Sequence, residues 1–190
     1  MSDTAEDLQL KGPHWSFAID LYGRPGVADA CLSLQEALGV DINVLLLVLY
    51  AASERGILLT SAEIAGLDQA VAEWRSEVVV ALRSIRRRLK AGPLPAPSVE
   101  TGALRDAVKG AELRAEQIEQ AVLAKLIEQK GSGAASQAVN AGDILRSVVE
   151  VFAARTKKHA DPAIRLQADA AVDVILTQWT AARASRSTQA

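Results

Sequence analysis
Apolar residues return at steps of three and four along most of the chain, the rhythm of helices that each bury one stripe. The clearest run is Ile64, Leu67, Val71, Trp74, Val78, Leu82, Ile85 and Leu89, which predicts one long amphipathic helix. Thr60-Ser61-Ala62-Glu63 opens it as a capping box, with Thr at the N-cap and Glu at N3. Gly92-Pro93-Leu94-Pro95-Ala96-Pro97 ends it in a stiff connector. A second long helix is predicted from Val99 to Lys130, with Leu104, Val108, Ala111, Ala115, Ile118, Val122 and Leu126 as its stripe. So short a connector makes the two an antiparallel hairpin.

Three shorter helices precede the hairpin. Gly12-Pro13 starts the first, carrying Trp15, Ile19 and Tyr22, and Arg24-Pro25-Gly26 interrupts it. The second buries Val27, Cys31, Leu34 and Leu38 and stops at Gly39. The third is apolar on every side from Ile42 to Ala52, so it should be central and covered all round, with Gly56 closing it. After Gly131-Ser132-Gly133, a helix from Ala134 to Lys158 carries Ile144, Val148, Val151 and Phe152, with Asn140-Ala141-Gly142 placed to kink or split it. Asp161-Pro162 caps a last helix presenting Ile164, Ala168, Ala171, Val172, Ile175 and Trp179. The fold class is therefore all-α: three short N-terminal helices, a long antiparallel hairpin and one or two C-terminal helices. Residues 1–11 read as a disordered tail, 12–130 as a helical core, 131–185 as a C-terminal extension packing on that core, and 186–190 as a frayed end.

Composition agrees and narrows the function classes. Of 190 residues, 49% are hydrophobic but only 4% aromatic, which favours closely packed helices over sheets. The net charge is −2 and the pI about 5.7, so no global positive field recruits nucleic acid. No signal-peptide pattern opens the chain, and the longest apolar run falls short of the ~20 residues that span a bilayer. A cytoplasmic protein is the expectation, and the single Cys31 is compatible with a reducing compartment.

Several pieces stand in an order that carries a resemblance: Trp15-x-Phe17-Ala18, Ala30-Cys31-Leu32-x-Leu34-Gln35, Gly39-x-Asp41-Ile42-Asn43-x-Leu45-Leu46, Arg83-x-x-Arg86-Arg87-x-Leu89-Lys90 and Glu112-Leu113-x-Ala115-Glu116. Over roughly residues 13–130 the chain resembles a proteobacterial family of small cytoplasmic proteins built on a domain of unknown function. The resemblance implies a bacterial origin and directs attention to these polar residues, without implying an activity.

Two polar constellations follow. Gln35, Asp41 and Asn43 flank the mouth of the most apolar run. They either converge at a helix corner to bind a polar ligand or peptide, or serve the fold. In the second case Asp41 caps through the N–H of Asn43 or Val44, Asn43 bonds the preceding loop, and Gln35 ties the second helix to the third. Arg83, Arg86, Arg87 and Lys90 share one helix face, either as a docking patch for an acidic partner or as cations at a helix C-terminus. Residue numbers summing to about 190 across the connector would put Asp106 opposite Arg83 to Arg87, and Glu112 and Glu116 opposite Arg75.

Catalytic and metal chemistry find little support. His14 and His159 are the only histidines, neither at ligand spacing, and no phosphate-binding glycine loop occurs. No catalytic residue, metal or cofactor is assigned. The leading expectation is a non-enzymatic binding, adaptor or regulatory protein with a protein partner, and a second copy of the chain as a candidate to cover the hairpin. The alternative is an apolar-ligand or isoprenoid-type pocket roofed by the Leu45–Tyr50 helix, with Asp41 and Asn43 holding a polar head. A cysteine enzyme using Cys31 with His14 is the third.

Overall fold
The computed structural model describes residues 8–129, 140–156 and 161–187, and side chains up to residue 184. The expected break at Gly131-Ser132-Gly133, the start at Ala134 and the cations Lys157, Lys158 and His159 lie outside the described residues, as do most of both tails. All regular structure among the described residues is helical. The helices are α1 (Pro13–Tyr22), α2 (Val27–Leu38), α3 (Ile42–Glu54), α4 (Ser61–Trp74), α5 (Val80–Ala91), α6 (Val99–Gln129), α7 (Ala141–Ala153) and α8 (Pro162–Ser187). A π-helical turn, Arg75–Val79, joins α4 to α5 in one rod.

The termini follow the local chemistry. Gly39 ends α2 at φ 71°, a left-handed conformation that a side chain disfavours, and its N–H reaches Gln35 O at 3.0 Å. Two residues later Asp41 Oδ1 accepts from Val44 N at 3.0 Å and starts α3. The Thr60–Glu63 capping box closes in both directions, at 3.3 Å and 2.9 Å. Asn140 caps α7 by accepting from Gly142 N at 2.9 Å, so α7 starts there; the part of the predicted helix before Asn140 lies outside the described residues.

Helix α3 is the hub. Every residue from Val44 to Ala51 is buried, with α1, α4, α6 and α7 packed around it. Helix α8 lies along α2, the most extensive contact between two helices of different rods outside the hairpin, and seats Ile175 and Trp179 in the same core as Leu34 and Val44. Helix α7 adds Leu145, Val148 and Phe152 to it. The C-terminal helices thus belong to one continuous core. Helix α5 differs: it buries no residue and packs on α6 and the π-helical turn, so the hairpin arm leaves the bundle edge.

Two predicted stripes do not match the buried faces. On α6, Leu104 is exposed, whereas Glu112, Glu119, Gln120 and Leu123 are buried. On the α4–α5 rod the inner face runs Val71, Arg75, Val79, Arg83, while Trp74 and Ile85 are exposed. The π-helical turn contains one extra residue, bonding Val80 N to Arg75 O, and advances the face by one position. Val79 and Arg83 thereby replace Val78 and Leu82.

Candidate binding cleft
Where the π-helical turn passes α1, α2 and α6, a cleft of about 220 Å³ opens. Trp15, Ile19 and Tyr22 of α1 and Leu32 of α2 form one side, and Val80 and Leu113 the other. Five of these six are exposed large apolar residues, so the rim is a greasy patch around a recess. Below it lie Gln35, Asp41 and Asn43, together with Arg75, Arg83 and Glu116. The three residues suspected from the sequence do converge.

The polar floor is built from two acid–arginine clusters. In the first, Arg75 enters from the rod and gives its Nη1 to both Asp41 Oδ2 and, at 2.6 Å, Asp68 Oδ1. Asp68 also takes Arg155 from just beyond α7. In the second, Arg83 Nε bonds Glu112 at 2.9 Å and its Nη2 bonds Glu116 at 2.6 Å, while Arg86 closes on the other Glu112 oxygen. Burial pushes the Glu112 carboxyl up, but the hydrogen bonds from Arg86 and Arg83 outweigh it and hold its pKa below the usual range. Glu116, with a single arginine, is instead raised by its burial.

Deepest is Glu119, wholly shielded from solvent, with neither carboxyl oxygen in a hydrogen bond among the described residues. Burial and the neighbouring Asp41 carboxylate push it up to about 9, so at neutral pH it is an uncharged acid. Beside it Gln120 donates to Asn43 Oδ1 at 3.0 Å, which corrects the expectation that Asn43 bonds the preceding loop, and leaves its own Oε1 unpaired. Sequence reading missed Glu119 and Gln120 because it placed the α6 stripe on aliphatics. The spacing Glu112, Glu116, Glu119, Gln120, Leu123 was available as a signal.

The basic face divides. Arg83 and Arg86 are engaged with Glu112 and Glu116; Arg87 and Lys90 are exposed. The expected register misplaced these partners, since Asp106 was to face the arginines and Glu112 with Glu116 to face Arg75. Trp74 Nε1 donates to Ala115 O at 3.1 Å, a side-chain bond between residues whose numbers sum to about 190. Side chains on both helices lean toward their own N-termini, and in an antiparallel pair that lean brings Arg83 to Glu112 and Glu116.

The other candidates resolve as follows. Cys31 is fully buried and burial alone pushes its thiol up to about 12, the reverse of what a nucleophile needs. His14 is buried edge-on to Tyr50, in a different recess of about 550 Å³ shared with Arg55 and Glu128, and burial lowers its pKa. Of the tryptophans, Trp179 is buried in the core, Trp15 is half-buried on the cleft wall, and Trp74 is partly exposed. Among the described residues no cluster of three or more His, Cys, Asp or Glu suits a metal ion, and no helix is long and apolar enough to cross a membrane.

Fold and cleft together define an all-α protein with an apolar-rimmed, arginine-floored recess. The chain belongs to the family described as "protein of unknown function (DUF2390)", whose model matches residues 13–123. Neither the curated proteins nor the solved structures compared with it give a match. The whole cleft, from Trp15 to Gln120, falls inside the matched segment, whereas α7 and α8 fall outside it.

Proposed function
We propose that this is a non-catalytic binding protein, and that the cleft between α1, α2 and the π-helical turn takes a small molecule with an apolar body and a polar head. The observation that carries this reading is the cleft itself. It pairs an exposed apolar rim with the Gln35, Asp41 and Asn43 floor, and it sits beside a π-helical turn, a distortion that often accompanies function. Its volume lies below the roughly 300–1,000 Å³ of drug-sized sites, which sets the scale of the ligand. Val80 is exposed at the mouth, so Val80→Trp should fill the entrance and leave the fold intact. Titration with medium-chain amphiphiles, followed by calorimetry, should give saturable binding to the wild type and none to Val80→Trp. Equal binding to both would refute the site.

A docking role for the hairpin arm has a separate observation in its favour: α5 buries nothing, and Ile85 is exposed near the exposed Arg87 and Lys90. The clean test reverses Arg87 and Lys90, because reversing Arg83 or Arg86 would break ion pairs of the fold. Affinity capture that returns the same partners with Arg87→Glu/Lys90→Glu as with wild type would dismiss it.

A further inference from the structure
Resting on the cleft reading above, we infer that the ligand's polar head is a single carboxylate, held side-on by Arg75. Arg75 makes both of its ion pairs through Nη1 alone, so the Nε–Nη2 edge, whose N–H bonds run parallel, has no acceptor among the described residues. That edge is the one that matches the two oxygens of a carboxylate. Arg75 lines the cleft, and 26% of its side chain is exposed even though both acids that hold it are nearly inaccessible, at 3% and 2%.

The other reachable polar groups are also chiefly donors. Arg83 Nη1 and the Gln35 amide, which both donates and accepts, line the same recess without a partner among the described residues. The acceptors are fewer and weaker. Asp41 is bonded through both oxygens, Glu116 gives one oxygen to Arg83, and Glu119 lines the recess with no exposed surface. An ammonium head would meet only single accepting oxygens, on Gln35 and Glu116, whereas a carboxylate finds a fork of donors.

Charge balance limits how much charge the head can carry. Asp41, Asp68, Glu112 and Glu116 face Arg75, Arg83, Arg86 and Arg155, four acids against four bases. Glu119 is the fifth acid of the group; uncharged, it adds no repulsion to an entering anion. With the set already neutral, a dianionic phosphate would bring twice the uncompensated charge of one carboxylate. The apolar rim of Trp15, Ile19, Tyr22, Leu32, Val80 and Leu113 then covers the tail, so the ligand class is a small aliphatic or aryl acid.

Three probes of equal tail length separate this inference from the reading beneath it: octanoate, octylamine and octanol, titrated into the full chain by calorimetry near pH 7. Octanoate should bind at least about tenfold more tightly than the other two, a difference of ~1.4 kcal/mol. Arg75→Lys keeps a cation for Asp41 and Asp68 but lacks the fork, so it should lose that preference while octanol affinity stays the same. Octanol or octylamine binding as well as octanoate would overturn the carboxylate and leave the cleft standing. Binding of none of the three would overturn both. The comparison on the wild-type chain decides the point even if Arg75→Lys fails to fold.

Discussion

Asp41 holds two bonds that answer to different substitutions. One oxygen caps α3 at Val44 N and the other receives Arg75, and the side chain is almost wholly buried. Asparagine is as good an N-cap as aspartate but carries no charge. Asp41→Asn should therefore cost only the ion pair, and that loss is partly offset. Arg75 keeps Asp68, and the neutral amide removes the repulsion that raises Glu119. We expect about 1–2 kcal/mol in chemical denaturation, below the ~3–5 kcal/mol of an ion pair broken outright. Asp41→Ala should cost about 1 kcal/mol more, the worth of the cap. Equal losses for the two variants would mean that the cap contributes nothing. That Asp41 caps was legible from its place two residues after Gly39; that it also receives Arg75 was not, since 34 residues separate them and local rhythm contains no information about such a pairing.

At the scale of elements, helices were legible wherever a stripe of aliphatics faced one core, as on α2, α3 and α8. Where polar side chains take the inner face, the aliphatic rhythm does not mark it. Arg75, Arg83, Glu112 and Glu119 occupy positions that a hydrophobic count treats as solvent-facing, and a one-residue π insertion leaves no trace in spacing that tolerates both threes and fours. The hairpin arm is the consequence. Helix α5 is tied to α6 through Arg83 and Arg86 on Glu112 rather than through a buried apolar seam. Glu112→Gln removes the charge that both arginines share, and should raise amide exchange in α5 at least tenfold with a global loss of ~1–3 kcal/mol. Reversing Arg87 and Lys90, both exposed, should stay within ~0.5 kcal/mol. Exchange rates in α5 that Glu112→Gln leaves unchanged would show that the ion pairs do not hold the arm.

For the molecule as a whole, the buried titratable groups bend stability from two sides. His14 is lowered in the folded state, so the unfolded chain binds more protons below its ordinary value of 6.5, and stability falls as the pH drops through that window. Glu112, lowered by its arginines, acts in the same sense at more acid pH. Glu119 acts the other way. Its folded pKa, raised to about 9 from 4.5, means the folded chain binds the extra proton in between. Stability should therefore decline as the pH rises through that interval, with Glu116 adding to the slope. The groups that face Glu119 set its value: Asp41 raises it, and Arg75 and Asn43 lower it. Glu119→Gln keeps the shape and removes the titration, so it should gain at least ~1.4 kcal/mol near pH 8, the worth of one tenfold difference in proton affinity between the folded and unfolded chain. The melting temperature of the wild type should fall between pH 6.5 and 9, and that of Glu119→Gln should stay nearly level. Parallel curves for the two chains would mean that Glu119 is already ionised at neutral pH. The floor of the cleft would then carry a net negative charge, and a cationic head rather than a carboxylate would fit it.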